Sequence, residues 1–494
     1  MTPFITRTDT VLLPDPSRVV ARLFVPGLEH VEQGESRATA VIRRTLALSE
    51  DAIEATLQRI RDRSAHRHRD LPAVLRRHYA AVAHRVPDEP SLTDARRTML
   101  GAVFTAEASL SGAALLNPST VAHPDQSGLP DGALRLLLTL RAVGEGHLSC
   151  VELRTGVVGP GRALVIDDPG RLAETGTAGP TTHHLSVLTA ELERAGADDE
   201  STRFLLDLLD EQFDEPELFA ALDSLHGQRV TRRGAVHTAE IARTSASASY
   251  EVRFDPDCPL TSRVLWPHTP AERSGIEDVR MVRFTDADGV VDYRGTCTAY
   301  DGVRIAPQLL ETTDFLTFRM SPLAGPSATD KGVALFPRLV GGRHLALTRS
   351  DRESICLASS ADGRVWDAPE VLHGPSGVWE LVQTGNCGSP IETSAGWLVL
   401  THGVGPMREY TLGALLLDLD DPSRVVGILP EPLLLPDEEE REGYVPNVVY
   451  TCGAIVHGDD LLLPYGASDA SVRFAFVDLP ALLERLTTSV SSAE

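Results

Sequence analysis

Five times along the chain an apolar strand stops abruptly on polar residues, and this recurrence constrains the fold more than any other feature. The stretches are 134–141, 293–301, 344–349, 397–402 and 461–469, ending at Arg141, Asp301, Arg349, His402 and Asp469. From Asp301 the polar ends follow at intervals of 48, 53 and 67 residues. A four-stranded propeller blade with its turns takes about 40–50 residues, so the period predicts repeated antiparallel sheets of that kind. A β-sandwich also has regular strands, but it gives no reason for polar ends at that interval. In a propeller those ends converge on the axis, where a pocket forms. The expected fold is all-β, a five-bladed β-propeller over about 110–485.

Two regions break the pattern. Residues from about Val20 to Ala114 read as helical, giving a helical N-terminal segment over 1–109. Ser49 can cap a helix with an acidic first turn, Glu50 and Asp51, and with Ile53, Leu57 and Ile60 at helical spacing. Ser91 with Asp94 resembles a capping box opening another helix. The segment is expected to act as a helical cap or an oligomerisation element. Between Arg141 and Asp301 a second helical stretch, at about 198–228 and divided by Pro216, reads as an insertion that covers the pocket or makes a subunit contact. A homo-oligomer is one outcome of either reading.

The formal net charge of -24 argues against a nucleic-acid or anionic-membrane partner, since phosphate backbones need clustered Lys and Arg. It leaves room for a small anion held by a few local cations. No apolar run approaches the roughly 18–20 residues of a membrane span, and the first 16 residues carry no leader pattern. Six cysteines stand singly without C-x-x-C spacing, which fits reduced, packed thiols and a cytoplasmic location. No His or Cys cluster has metal spacing, and the 156–161 glycine stretch lacks a P-loop lysine, so neither metal nor organic cofactor is expected. The run from Glu438 to Glu442 reads as a solvated acidic loop. Basic charge is almost wholly arginine; Lys331 is the single lysine in the chain and calls for its own explanation.

Seven short motifs occur in a fixed order: Ile276-Glu-Asp-Val-Arg280, Thr298-Ala-Tyr-Asp-Gly302, Lys331-Gly-Val-Ala-Leu-Phe-Pro337, Gly385-Asn-Cys-Gly-Ser-Pro-Ile391, Thr401-His-Gly403, the run from Leu412 to Pro422, and Val445-Pro-Asn-Val-Val449. Together they resemble glycoside hydrolase family 130, over about residues 110–480. The resemblance implies an inverting phosphorylase of β-mannosides that releases α-mannose 1-phosphate, with a β-mannoside oligosaccharide and inorganic phosphate as its two substrates.

Cleaving a glycoside requires protonation of a poor leaving-group oxygen, normally by a carboxylic acid. Asp301, at a strand end beside Tyr300 and Gly302, matches the family's general acid, which there passes its proton through a sugar hydroxyl. On sequence alone it reads equally as a turn aspartate before glycine. The resemblance also implies an anion site at Lys331, Arg349 and His402, because the family's phosphorylases carry basic residues at these positions. Gln383 departs from the pattern, standing where those phosphorylases commonly have another lysine. Asn117, Ser119 and Arg141 resemble sugar contacts of the first blade, and Asp278, Arg280 and Asp469 further ring contacts. Salt bridges between blades explain Asp278 and Arg280 as well. Tyr300 or Trp379 could stack on a sugar face. An inverting β-mannosidase is the alternative; it needs a second carboxylate about 6.5–9.5 Å from the acid to activate water, for which Glu380, Glu277 and Asp278 are candidates. A non-catalytic carbohydrate-binding propeller is the third reading.

Overall fold

The computed structural model describes residues 4–26, 36–87, 89–197 and 199–488. Residues 27–35, inside the expected helical segment, and Asp198, the expected start of the insertion, lie outside the described residues. The chain divides into two compact units. One comprises Asp15–Gly112 with Gly170–Glu174; the other holds Met1–Pro14, Ala113–Pro169 and Thr175–Glu494.

The smaller unit is built from helices Arg37–Leu46, Glu50–Ser64, Leu71–Val82 and Asp94–Val103. Each starts on a short polar cap: Ser36, Ser49, Asp70 and Thr93 accept the N–H three residues on, answering donors that the first turn leaves unpaired. Thr93 therefore takes the capping role expected of Ser91. Ile42, Leu100 and Phe104 are fully buried between the helices. The helical reading overreached at both ends, because Val19–Leu23 and Thr105–Ser109 pair as antiparallel strands. These short β-branched and alanine-rich runs carry too few residues to reveal their period. The expected boundary at 109 also shifts. Strand Ile5–Leu12 pairs with Ser471–Asp478 in the larger unit, so the helices follow a first β-strand instead of preceding the β region.

The larger unit is mostly β, and its strands fall into five antiparallel groups. The first runs through Ala114–Ala122, Leu134–Val143, Ser149–Gly159 and Ala163–Ile166. The second runs through Gly275–Thr285, Val291–Tyr300, Ile305–Thr312 and Thr317–Pro322. A single parallel pairing, Gly275 with Ser149, joins these two into one eleven-stranded sheet. The third is Ala334–Leu335, His344–Thr348, Ile355–Ser360 and Glu370–His373. The fourth is Gln383–Asn386, Gly396–Val404, Tyr410–Leu417 and Val425–Ile428. The fifth is Val449–Tyr450, Asp460–Ala467, Ser471–Asp478 and Ile5–Leu12. All five repeated stretches read from the sequence lie in or at the end of the second strand of a group. No sheet closes on itself among the described residues.

Apolar faces of successive groups share cores. Leu137 and Leu153 of the first pack with Ile276 and Met281 of the second. Val282 and Leu309 meet Leu335 and Trp366; Phe336 and Leu347 meet Trp397 and Leu415; Leu398 and Leu400 meet Leu461 and Leu463. The fifth group returns to the first, where the Cys452 N–H donates to the Pro118 carbonyl at 2.7 Å.

The insertion is larger than expected. Helices Leu185–Arg194, Glu200–Leu206, Glu215–Gly227 and Ala235–Ala246 close over a core of their own containing Leu192, Leu205, Leu222 and Ala242. Pro216 does not divide a helix; it sits in the first turn of Glu215–Gly227, behind a capping box of Asp214 and Glu217. The insertion hangs between Thr177–Gly179 and Tyr250–Arg253, which pair with each other on the outer edge of the second group beside Thr317–Pro322, away from its innermost strand.

The acidic run 438–442 is not uniformly solvated. Glu440 is buried and accepts from Arg7 Nη2 at 3.0 Å and from the Tyr465 hydroxyl. Breaking a buried ion pair costs about 3–5 kcal/mol, and Arg7 is one-third exposed, so Glu440→Ala is expected to cost about 2–3 kcal/mol. A lower urea midpoint without a changed slope is the expected result; an unchanged midpoint would contradict it.

Candidate active site

The site grows from a bulge. In Gly275–Thr285 the register with Val291–Tyr300 shifts between Glu277 and Arg280, and Asp278 takes a left-handed φ of 57°. An extra residue in one strand re-aims the side chains around it. A second bulge falls between Leu116 and Ser119, with Asn117 at φ 49°. The two bulges face each other: Asn117 Nδ2 donates to Asp278 Oδ1 at 2.6 Å.

Arg141, from the next strand of the first group, ties the cluster together. Its Nη1 donates to Asp278 Oδ1 at 3.3 Å, its Nη2 to Glu277 Oε1 at 2.5 Å and its Nε to Ser149 Oγ at 3.0 Å. The other Glu277 oxygen accepts from Lys331 Nζ, which lies 5.9 Å from the centre of the Tyr300 ring. The lone lysine is thus explained as one arm of a buried charge network. Burial pushes the Asp278 carboxyl up, but Arg141, Lys331 and Arg280 together with the Asn117 bond outweigh it and hold the group below its ordinary value. Asp469, at φ 49°, feels the same cluster with the opposite result. Burial raises it, Arg141 and Arg408 only partly compensate, and the Asp278 charge adds to the shift, leaving it at about 6. Two neighbouring carboxyls are therefore driven apart in acidity.

The third and fourth groups contribute a cationic side. Arg349 Nη1 and His402 Nε2 are 3.1 Å apart. They meet in the space that a side chain on Gly385 would take: a Cβ there would come within 2.5 Å of His402 Cε1 and 3.0 Å of Arg349 Cδ. Gln383 lies two residues before Gly385 on the same strand and so on the same face. Asn386 donates to the Gly332 carbonyl at 2.7 Å, linking this strand to the Lys331 loop. Three buried polar atoms here have no hydrogen-bond partner: Asn117 Oδ1, Asn386 Oδ1 and Arg349 Nε. Buried polar groups are rarely left unpaired, so such a set marks places a ligand or water fills.

Other expected residues stand apart from the ligand space. Ser119 is fully buried and accepts the Met281 N–H at 3.1 Å. Arg280 directs its guanidinium at the Cys387 carbonyl, the Asp278 carbonyl and the Tyr450 hydroxyl, at 2.6, 3.2 and 2.9 Å. Both shape the site from beneath. Trp379 is no open stacking platform, because its indole fills the space beside Gly403 and Gly413, where a Cβ would approach within 2.3 and 2.5 Å. Glu380 is buried and already accepts from Thr384 Oγ1 at 2.8 Å, Ser376 Oγ at 3.1 Å and the Ser376 N–H at 3.2 Å, with His373 Nε2 at 3.3 Å. Burial opposes its ionisation, yet these partners hold its carboxyl below the ordinary value. Glu277, paired with both Arg141 and Lys331, is equally occupied.

Asp301 follows strand Val291–Tyr300, whose last residue pairs with Gly275, two positions before Glu277. Its Oδ1 accepts the N–H groups of Val303 and Arg304 at 2.7 and 2.6 Å, the geometry of a turn aspartate. Those two bonds favour the carboxylate and hold it below its ordinary pKa in the free protein. Its second oxygen has no such tie.

The glycoside hydrolase family 130 profile, described as β-1,4-mannooligosaccharide phosphorylase, matches residues 258–488. A 1,2-β-oligomannan phosphorylase of Thermoanaerobacter is 32% identical over 225 residues, 44% of this chain and 74% of that protein. A β-1,2-mannobiose phosphorylase of the same organism is 36% identical over 228 residues, 44% of this chain and 70% of that one. The solved structure of the Listeria innocua β-1,2-mannobiose phosphorylase in complex with β-1,2-mannobiose aligns at a TM-score of 0.45 and 20% identity, over 77% of this chain and 93% of that chain. With the seven motifs falling in the matched region and two relatives above 30% identity covered over more than two thirds of their lengths, the chain belongs to glycoside hydrolase family 130.

Proposed function

We propose that this protein is an inverting phosphorylase of β-mannosides that releases α-mannose 1-phosphate. The observation that carries the reading is the pairing of a sugar-suited cluster with a cationic side whose Arg349 Nε is buried and unpartnered. Asn117, Arg141, Asp278 and Asp469 offer the carboxylates and guanidinium fork that sugar hydroxyls prefer. Arg349 and Lys331 suit a phosphate oxyanion, with Gln383 able to donate a neutral hydrogen bond from the same strand face.

In this reading a phosphate oxygen forms the new bond to the anomeric carbon from the face opposite the leaving group. The glycosidic C–O bond breaks, and its oxygen takes a proton supplied by Asp301 through a sugar hydroxyl. The phosphate is already a nucleophile, so no protein base is required and neither metal nor organic cofactor enters the scheme. The hydrolytic alternative needs a carboxylate free to deprotonate water; Glu380, Glu277 and Asp278 each already bind protein partners, Asp278 through Asn117 and Arg141. Relatives named as β-mannoside phosphorylases support the same choice.

A five-bladed propeller is the arrangement we infer for the five strand groups. The cyclic order of shared cores supports it, as does a cleft lined by Val121 and Met281 of the first two groups and by Pro337, Ile391 and Ile455, which adjoin the other three. Six buried cysteines suit the reducing conditions of a cytoplasm.

The stereochemistry tests the proposal. Incubation with β-1,2- or β-1,4-mannobiose and inorganic phosphate, followed by NMR, should give the α-anomer of mannose 1-phosphate. A β-configured sugar phosphate would overturn the inverting mechanism.

A further inference from the structure

The contact between Arg349 and His402 fixes more than proximity. A guanidinium is always charged and offers only donors. An imidazole nitrogen 3.1 Å from Arg349 Nη1 must therefore present its lone pair, which leaves the ring proton on Nδ1, beside Cys387 Sγ at 3.9 Å. The ring is 1% exposed and enclosed by Tyr410, stacked at 6.1 Å, and Tyr450, edge-on at 5.0 Å. Burial, then the charges of Arg349 and Arg280, hold it neutral against a smaller pull from the Asn386 backbone. A neutral ring whose Nε2 lone pair faces a guanidinium has no proton there to donate to an anion.

We propose that His402 is a positioning residue for Arg349 and not itself a ligand of the phosphate. This rests on the phosphorylase reading above and departs from the direct contact expected of His402 in the sequence. By accepting from Nη1, His402 holds one corner of the guanidinium and leaves the opposite edge, Nε with Nη2, as the planar fork for two oxygens of the anion. Arg349 Nε, on that edge, is a buried donor with no protein partner among the described residues. Gly385 completes the device, because any side chain there would collide with both members of the pair.

The experiment is 15N NMR of the full-length enzyme carrying labelled histidine, with His402 assigned through its own side-chain-to-backbone couplings, before and after addition of inorganic phosphate. The expected spectrum has a proton on Nδ1 and none on Nε2 in both states. A proton on Nε2, whether in the free protein or on phosphate addition, would overturn the inference while leaving the phosphorylase reading intact. Kinetics give a second readout. His402→Gln can supply an amide oxygen acceptor and should keep the phosphate KM within roughly threefold, whereas His402→Leu should raise it about tenfold, the scale of one charge-assisted contact. The mannoside KM should stay nearly constant in both. Equal loss in the two variants would overturn the positioning role. Turnover independent of phosphate in the unmodified enzyme would instead remove the phosphorylase reading and the inference with it.

Discussion

Asp301→Asn is expected to fold normally and to lose about 10²–10⁴ in kcat on an unactivated mannobiose. The amide oxygen of asparagine can accept the same Val303 and Arg304 N–H bonds, so the turn survives. What disappears is the transferable proton. In the free protein those bonds favour the carboxylate, which is the wrong state for an acid catalyst. A sugar seated against Asp301 excludes water from it, and desolvation raises a carboxyl toward the protonated form. The defect should accordingly shrink on an aryl mannoside, whose leaving group needs little protonation. Near-normal turnover of Asp301→Asn on mannobiose would return Asp301 to the role of a turn residue.

Arg349→Met should raise the KM for phosphate about tenfold to a hundredfold and leave the mannoside KM almost unchanged. Initial rates measured across a phosphate series at saturating mannoside check this directly. Lys331→Met should behave differently. Lys331 and Arg141 share the two oxygens of Glu277, so removing the lysine leaves one of those oxygens uncompensated beside the sugar cluster. Both KM values are then expected to rise. If Arg349→Met weakened the mannoside and phosphate alike, the separation into a sugar side and an anion side would fail. Gln383→Lys, which adds a charge on the strand face of Gly385, is expected to lower the phosphate KM.

The repeated strands were legible because their signal is long: each apolar run spans most of a strand, and the polar ends recur. Short elements were not. Val19–Leu23 and Thr105–Ser109 have five residues each and sit beside strong helices, so the helical period swallowed them. That Ile5–Leu12 closes the last group depends on a partner more than 450 residues away, which no local pattern records. In the site, residue types were readable but their commitments were not. Glu380, Arg280 and Ser119 look like free polar groups in sequence, and only the fold shows that their lone pairs and donors are already taken. Glu440 hides in an acidic run for the same reason. The bridging role of Glu277 and the pairing of His402 with Arg349 each join side chains from different strand groups. The local clue to the His402–Arg349 pairing was the glycine at 385, where the two side chains meet.

In this mechanism phosphate is the attacking group, so cleavage must depend on it. The enzyme is freed of phosphate and given β-mannobiose in phosphate-free buffer, then in the same buffer with inorganic phosphate, and both products are quantified. The expected result is negligible cleavage without phosphate and, with it, a rate that saturates in phosphate while mannose 1-phosphate and mannose form in equal amounts, one from each half of the disaccharide. Equal rates in the two buffers, with mannose as the single product, would contradict it.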